Sequence, residues 1–227
     1  GLHLDIQFSG SVDAIRALNE GRCQLAGFHT RQQPAARSHT ARTYKPLLKP
    51  GRHKLIGFAL RQVGLMVAPG NPLALRTLAD VAASGARFIN RPHGTGTRVL
   101  LDELLADAGL QPGDIAGYAD AQPSHAAVAQ AVASGQADVG LGTASAARAA
   151  GLGFAPLLQE RYQLVCLKSA LDSAPVQALR SLLASDTWQQ TLRGLAGYTQ
   201  DGCGLVKPMN HCLPWWAFKP TATPITR

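Results

Sequence analysis

The sequence predicts an α/β fold, on three observations. Apolar residues recur with period two in some stretches and with helical period in others, and the two kinds alternate along most of the chain. Several strand-like runs end in a short Gly, Ser or Thr turn that opens a helix. Hydrophobic residues make up 46% of the 227 residues and charged residues 16%, a balance that supports a buried core and excludes a disordered chain.

Taken in order, residues 2–8 alternate apolar and polar and predict a strand. Ser9-Gly10-Ser11 follows, and Val12, Ala14, Ile15 and Leu18 mark a helix. Residues 24–28 predict a short buried strand that ends at His29-Thr30. This strand–helix–strand opening implies a parallel pair joined by a right-handed crossover. Residues 31–53 are polar, with Pro34, Pro46 and Pro50, and read as a loop. Residues 54–68 read as two strands with a bend at Arg61-Gln62 and Gly64, stopped by Pro69-Gly70-Asn71-Pro72. A helix over 75–84 and a strand over 86–90 follow, then a glycine-rich loop, then an amphipathic helix over 98–108 that ends at Gly109. A short strand is expected near Gly117-Tyr118. Ser124 caps a helix over 125–134, and a strand over 137–142 leads to a helix over 143–149. Strands at 154–158 and 162–167 precede helices at 175–183, opened by Pro175, and 187–195, capped by Ser185-Asp186. From Gly197 the chain reads as loop, with a disordered tail at 221–227.

The net charge of +8 fits nucleic acid, membrane surfaces or small anions as partners. No run of five Lys or Arg occurs, and the densest basic stretch, residues 31–54, reads as a solvated loop, with DNA contact as a minor alternative. Cys23 and Cys166 lie in apolar runs and read as buried hydrophobes. Cys203 and Cys212 flank a loop-like segment, a placement that would allow a disulfide. No Cys/His spacing matches a zinc site, so no metal is expected. No stretch reaches about 18 consecutive apolar residues, so no membrane span is expected, nor is a secretory leader recognisable.

The strongest local signal is Arg91-Pro92-His93-Gly94-Thr95-Gly96-Thr97-Arg98, between a strand and a helix. Free N–H groups at a helix start, glycines that admit a close approach, hydroxyls and arginine charge together make an anion site. The competing reading is an ordinary helix start capped by Thr95 or Thr97. The loop lacks the lysine of a Walker loop, and it lacks the third glycine and the acidic partner of a dinucleotide fingerprint. Ser9-Gly10-Ser11 repeats the strand–turn–helix design, Ser124-His125 is a third such junction, and His29 lies at a strand's carboxyl edge, where α/β sheets bind ligands. The candidate ligand-binding residues are therefore Ser9, Ser11, His29, Arg91, Thr95, Gly96, Thr97, Arg98, Ser124 and His125. No nucleophile, base and orienter assemble: there is no G-x-S-x-G elbow, and Asp102 and Glu103 read as solvated. Asp138 reads as a buried strand residue that satisfies backbone donors. The chain is expected not to be an enzyme and to need no cofactor.

Several stretches resemble one family in order along the chain. They are Gly10-Ser11, Ala17-Leu18-Asn19-Glu20-Gly21, Leu25-Ala26-Gly27-Phe28-His29, Arg61-Gln62-Val63-Gly64-Leu65, residues 88–102, Ser124-His125-Ala126-Ala127-Val128-Ala129, residues 132–142 and Glu160-Arg161-Tyr162. The resemblance is to the periplasmic-binding-protein-like domain fused to bacterial helix-turn-helix regulators and found with molybdenum-cofactor proteins. It implies a type II fold: two α/β lobes joined by two crossing hinge strands, with ligand held between them. On that reading lobe one takes residues 1–66 and 164–227, the latter with a C-terminal tail, and lobe two takes 67–163. The loop at Arg91 is similar to the Arg-x-x-Ser-Gly-Thr loop of phosphate and tungstate binders, with Thr95 in place of Ser. The implied function is a sensor for a small, molybdate-like oxyanion that serves a transcription regulator, with DNA contacted only through a separate helix-turn-helix segment and the domain in the cytoplasm. The alternatives are a periplasmic transport receptor and an accessory domain of molybdenum-cofactor synthesis. Among the departures from the family pattern are Val63, an extra residue beside Arg61-Gln62, and Trp215-Trp216. The two tryptophans read as core packing first and as a homodimer contact second.

Overall fold

The computed structural model describes residues 3–216. In chain order the elements are α1 (Ser11–Asn19), β1 (Ala26–Arg31), α2 (His39–Tyr44), β2 (His53–Val67), α3 (Leu78–Ser84), β3 (Phe88–Ile89), α4 (Gly96–Asp107) and α5 (His125–Ala133). There follow β4 (Val139–Thr143), α6 (Ala144–Ala149), β5 (Gly153–Leu167), α7 (Ala174–Ala184), α8 (Asp186–Gly194), β6 (Tyr198–Gln200), β7 (Val206–Lys207) and α9 (Met209–Cys212). The strands form one sheet in the order β1-β5-β2-β4-β3, with β6 and β7 also paired to β2. Only β3–β4 is parallel among these pairs.

Two strands organise everything else. β2 and β5 are each 15 residues long and pair antiparallel from His53–Leu167 to Val67–Gly153. At one end of β2, Leu55 packs with Ile15, Leu18, Phe28, Tyr44 and Val165, while its neighbour Ile56 packs on the opposite face with Cys166, Val176 and Leu183. At the other end, Val63, Leu65 and Val67 pack with Phe88, Leu101 and Leu141, and Met66 faces Val128, Val132 and Ala147. Alternation along a strand sends successive residues to opposite faces. One continuous strand pair therefore threads two pairs of cores, which is the two-lobed type II arrangement. Each buried aliphatic or aromatic side chain in these cores contributes roughly 1.5–3 kcal/mol.

The segments expected as two strands with a bend at 54–68, and as separate strands at 154–158 and 162–167, are thus single long strands. The bend survives as two register shifts, between Gly57 and Ala59 and between Val63 and Gly64. At the second shift Val63 pairs with Leu158 and Gly64 with Pro156, so the unmatched residue is Leu157 on β5. Gly64 is required there, because a Cβ would lie 2.1 Å from the Ala155 carbonyl oxygen.

The predicted opening strand is not formed. Residues 3–8 join no ladder, and Leu4, Ile6 and Phe8 are 47%, 64% and 97% exposed. Alternation makes a strand only where a neighbouring strand takes up its backbone groups, and β1 pairs antiparallel with β5 instead. The loop at 31–53 contains α2, started by the Ser38 hydroxyl, which accepts from the Ala41 amide at 3.1 Å. No ladder forms at Gly117-Tyr118; Asn90 makes a single bridge to Ala121. The region after Gly197 holds β6, β7 and α9 rather than loop alone. The caps at Thr77, Thr95, Ser124, Thr143 and Ser185 start α3, α4, α5, α6 and α8.

The cysteines are all free thiols. Cys203 packs beside Ile56 and Cys212 beside Trp215, in different cores, so the 203–212 bridge is not made. Cys166 is buried, whereas Cys23 is only half-buried. Trp215 is buried in the first core, and the Trp216 ring lies beneath Lys45 and Lys49, with ammonium-to-centroid distances of 5.3 and 5.6 Å. The expected tail at 221–227 lies outside the described residues. Among the described residues no helix is long and apolar enough to cross a membrane.

Candidate functional site

The middle of the hinge carries charge in an otherwise apolar strand pair. Arg61 of β2 stands opposite Glu160 of β5, and its Nε donates to Glu160 Oε2 at 2.8 Å. Both side chains are nearly inaccessible to solvent. Two residues along β5, Tyr162 pairs with His29 of β1. The His29 ring meets the Tyr162 ring edge-on with centroids 4.8 Å apart, and the Arg61 guanidinium lies 5.3 Å from the Tyr162 centroid. His29 is thus inside β1, not beyond its end.

Helix starts come to this place from both lobes. α1 begins at Gly10, which offers no side-chain cap, and the Val12 amide donates instead to the Gly94 carbonyl at 3.3 Å. Gly10 and Gly94 touch so closely that a Cβ on Gly10 would lie 2.7 Å from the Gly94 oxygen. A Cβ on Gly96, the first residue of α4, would lie 2.5 Å from His29 Nδ1 and 2.8 Å from Ser11 Oγ. Ser11, His29 and Gly96 therefore converge, and glycine at 96 is what lets them. Thr97, buried in the first turn of α4, has its hydroxyl 3.3 Å from Nε2 of His125, which opens α5. Arg91 Nη2 donates to the Pro123 carbonyl at 2.9 Å, so this arginine spans the loops ahead of α4 and α5.

The electrostatics combine one compensated arginine, Arg61 on Glu160, with Arg91, which has no ion pair among the described residues. Burial first, then Arg61, His125 and Arg91, hold the His29 pKa well below its ordinary value. Burial, then Arg61 and Arg91, push His125 down to about 3. Both imidazoles are neutral at pH 7. Burial opposes the charge of Arg61, but Glu160, and after it Tyr198, hold its pKa above the ordinary arginine value. Arg91 is lowered, by burial and then by Arg61. Four sealed side-chain atoms in this group lack a hydrogen-bond partner among the described residues: His29 Nδ1, Arg61 Nη2, Arg91 Nε and His125 Nδ1. Buried polar groups are normally satisfied, so these atoms stand out in the structure.

The other sequence candidates have other duties. Thr95 caps α4, donating to the Pro92 carbonyl at 2.8 Å and accepting from the Arg98 amide at 3.3 Å. Arg98 is buried 3.9 Å over the Tyr118 ring, with Nη1 donating to the Tyr118 carbonyl at 3.2 Å and the Arg91 carbonyl at 3.4 Å, so its charge is spent on backbone. Ser124 is an exposed cap that accepts from the Ala127 amide at 3.0 Å, and Ser9 is exposed. Glu103, expected to be solvated, is buried: it accepts a short hydrogen bond from the Thr40 hydroxyl and lies 3.6 Å from Arg31 Nε. Asp102 is partly covered and accepts from the Tyr118 hydroxyl at 2.5 Å. Asp138, partly exposed, takes the Arg87 amide at 2.9 Å and its guanidinium at 2.7 Å. Sequence reasoning missed Arg61, Glu160 and Tyr162 as site residues. Their signal was charge inside a long apolar run, which reads as a bend until the strand is known to be continuous.

An α/β chain whose two lobes share a pair of hinge strands, with helix starts meeting between them, is a ligand-binding domain of the periplasmic-binding-protein class. The family model described as the PBP superfamily domain matches residues 1–184, and the chain belongs to that superfamily. The uncharacterized protein YvgK of Bacillus subtilis (strain 168) is 34% identical over 192 residues, which span 85% of this chain and 61% of YvgK. The chain thus matches less than two thirds of that relative's length. Among solved structures, a putative phosphate ABC-transporter substrate-binding protein from Clostridium perfringens, with bound phosphate, superposes with a TM-score of 0.61 over 85% of each chain, at 11% identity. The regulatory domain of MetR, a LysR-family regulator from N. meningitidis, superposes with a TM-score of 0.60 over 88% of this chain and 84% of its own, at 16% identity. These likenesses establish the fold.

Proposed function

We propose that this chain is a sensor domain that holds a small tetrahedral oxyanion, molybdate-like, between its lobes and catalyses nothing. On this reading lobe one takes the described residues of 1–66 and 164–227, and lobe two takes 67–163. The observation that carries the reading is the set of unpartnered buried polar atoms on His29, Arg61, Arg91 and His125, on strands and helix starts from both lobes. An oxyanion there would accept from side chains of both lobes and from helix-start amides, with two arginines and three helix dipoles favouring its charge. Ser11, Gly96 and Thr97 shape the contact. Because both lobes supply donors, the anion binds the closed state better and shifts the population toward it. The family's regulatory relatives support a role in transcription, with DNA contacted through a separate segment.

The test is calorimetry of the chain against molybdate, tungstate, phosphate and sulfate, with Thr97→Ala and Arg91→Ala beside the wild type. Saturable binding of one anion is expected, weakened by about tenfold or more in Arg91→Ala, since a charged hydrogen bond is worth ~1.5–3 kcal/mol. No saturable heat with any of the four would sink the oxyanion assignment.

A further inference from the structure

Behind the hinge lies a second group of cations that the cleft does not use. Gln62 and Gln159 pair in register one residue along from Arg61 and Glu160. Alternation turns them to the reverse face of the strand pair. They line a cavity of about 300 Å³ whose walls carry Arg148 on one side and Arg193 with the turn through Gly197 on the other. Both arginines are exposed, and neither makes an ion pair or side-chain hydrogen bond among the described residues.

The two walls belong to different lobes. Arg148 is on α6, whose Ala147 packs with Met66 and Val128. Arg193 is on α8, whose Leu192 packs with Ile56 and Val176. The walls meet at Gly197, where a Cβ would lie 2.6 Å from Ala144 Cβ and 3.2 Å from Gln62 Cβ. Any change of hinge angle therefore changes the separation of Arg148 and Arg193.

The geometry points to a second ligand site on the back of the hinge, for a small molecule with two acidic groups. Arg148 takes one group, Arg193 the other, and the amides of Gln62 and Gln159 hydrogen-bond its middle. The volume is at the lower end of the range for small-molecule pockets, which suits a compact dianion. The site stands on its own residues. Its coupling to the front cleft, by which a bridging dianion fixes the hinge angle and so alters affinity in the cleft, rests on the proposed function.

The experiment titrates inorganic pyrophosphate and succinate into the wild type, Thr97→Ala and the double variant Arg148→Ala/Arg193→Ala. The replaced arginines are exposed, and thermal melts confirm that the variant folds. The expected result is saturable binding of at least one dianion, weakened by about tenfold or more in the double variant and changed by less than about twofold in Thr97→Ala. Binding lost in Thr97→Ala and kept in the double variant would place the dianion in the front cleft and overturn the proposal. No binding of either probe would overturn it too. The tetrahedral anions, titrated into the same double variant, judge the cleft separately, so either site can fail while the other stands.

Discussion

His29 and His125 carry an acid-sensitive term in the stability of this fold. Each is neutral in the folded chain because burial and nearby arginines penalise its charged form. An unfolded histidine titrates near 6.5. Below that pH the unfolded chain takes up protons that the folded one refuses, so folding stability falls as pH drops through about 6.5, and for His125 keeps falling toward about 3. Denaturant melts between pH 7.5 and 4.5 are expected to show that loss, and His125→Gln to flatten it; equal slopes in both proteins would refute the assignment. Arg61 and Glu160 make a second residue-scale case. Arg61→Met strands a buried carboxylate and should cost about 3–5 kcal/mol, while Arg61→Met with Glu160→Leu should recover most of it. If the pair is kept for binding and not for stability, the double variant will fold well and bind no oxyanion, which the same calorimetry reads.

Helix starts can be engineered apart from the contacts they make, and Gly10 is the place to do so. As the N-cap of α1 it has φ −67° and ψ 153° and leaves the first turn without a side-chain acceptor. Serine suits that backbone, but as a cap it would strengthen α1 by only roughly a few tenths of a kcal/mol over glycine. A Cβ there also meets the Gly94 carbonyl from the other lobe. Gly10→Ser is therefore expected to push the Gly94 loop away and weaken anion binding, and a variant that binds as tightly as wild type would show that the Gly10–Gly94 contact does not matter for binding. At this scale the helices were largely legible in the sequence, because caps such as Ser124 and Ser185 and breakers such as Gly109 act over a few residues. The strands were legible in position but not in partnership. Residues 2–8 have strand alternation, yet the described residues 3–8 join no ladder, and the two runs around Arg61 are one strand, since pairing depends on residues a hundred positions away. The loop at Arg91 was legible as a site candidate for the same local reason that made the helices so. Arg61 and Glu160 were not, because only the β2–β5 register brings them together; Arg98, chemically suited to an anion, is diverted by Tyr118 and Asp102.

At the scale of the whole molecule, the proposed function makes closure a balance between contacts that join the lobes and charges that resist it. The joining contacts are the Val12 amide on the Gly94 carbonyl at 3.3 Å, Arg31 on Asp107 at 2.5 Å, and the Thr40 hydroxyl on Glu103. They link α1, β1 and α2 to the loop and helix of α4. Against them stand Arg61 and Arg91, with Glu160 the acid paired to Arg61, and the positive ends of α1 and α4 brought face to face. Partial exposure of Arg31 and Asp107 keeps their ion pair modest, so the joining contacts alone give a shallow preference. An anion between the helix starts turns the repulsive term into an attractive one, and needs about 5.5 kcal/mol of differential affinity to carry a population from one per cent closed to ninety-nine. Small-angle scattering across an anion titration should therefore show the radius of gyration falling toward the compact value as the site fills. Raising salt should screen the exposed Arg31–Asp107 pair and shift the midpoint to higher anion concentration. A radius of gyration that stays fixed through saturation, with binding confirmed in the same sample, would mean that the lobes are held together by their own contacts and that any signal to a partner leaves by a route other than closure.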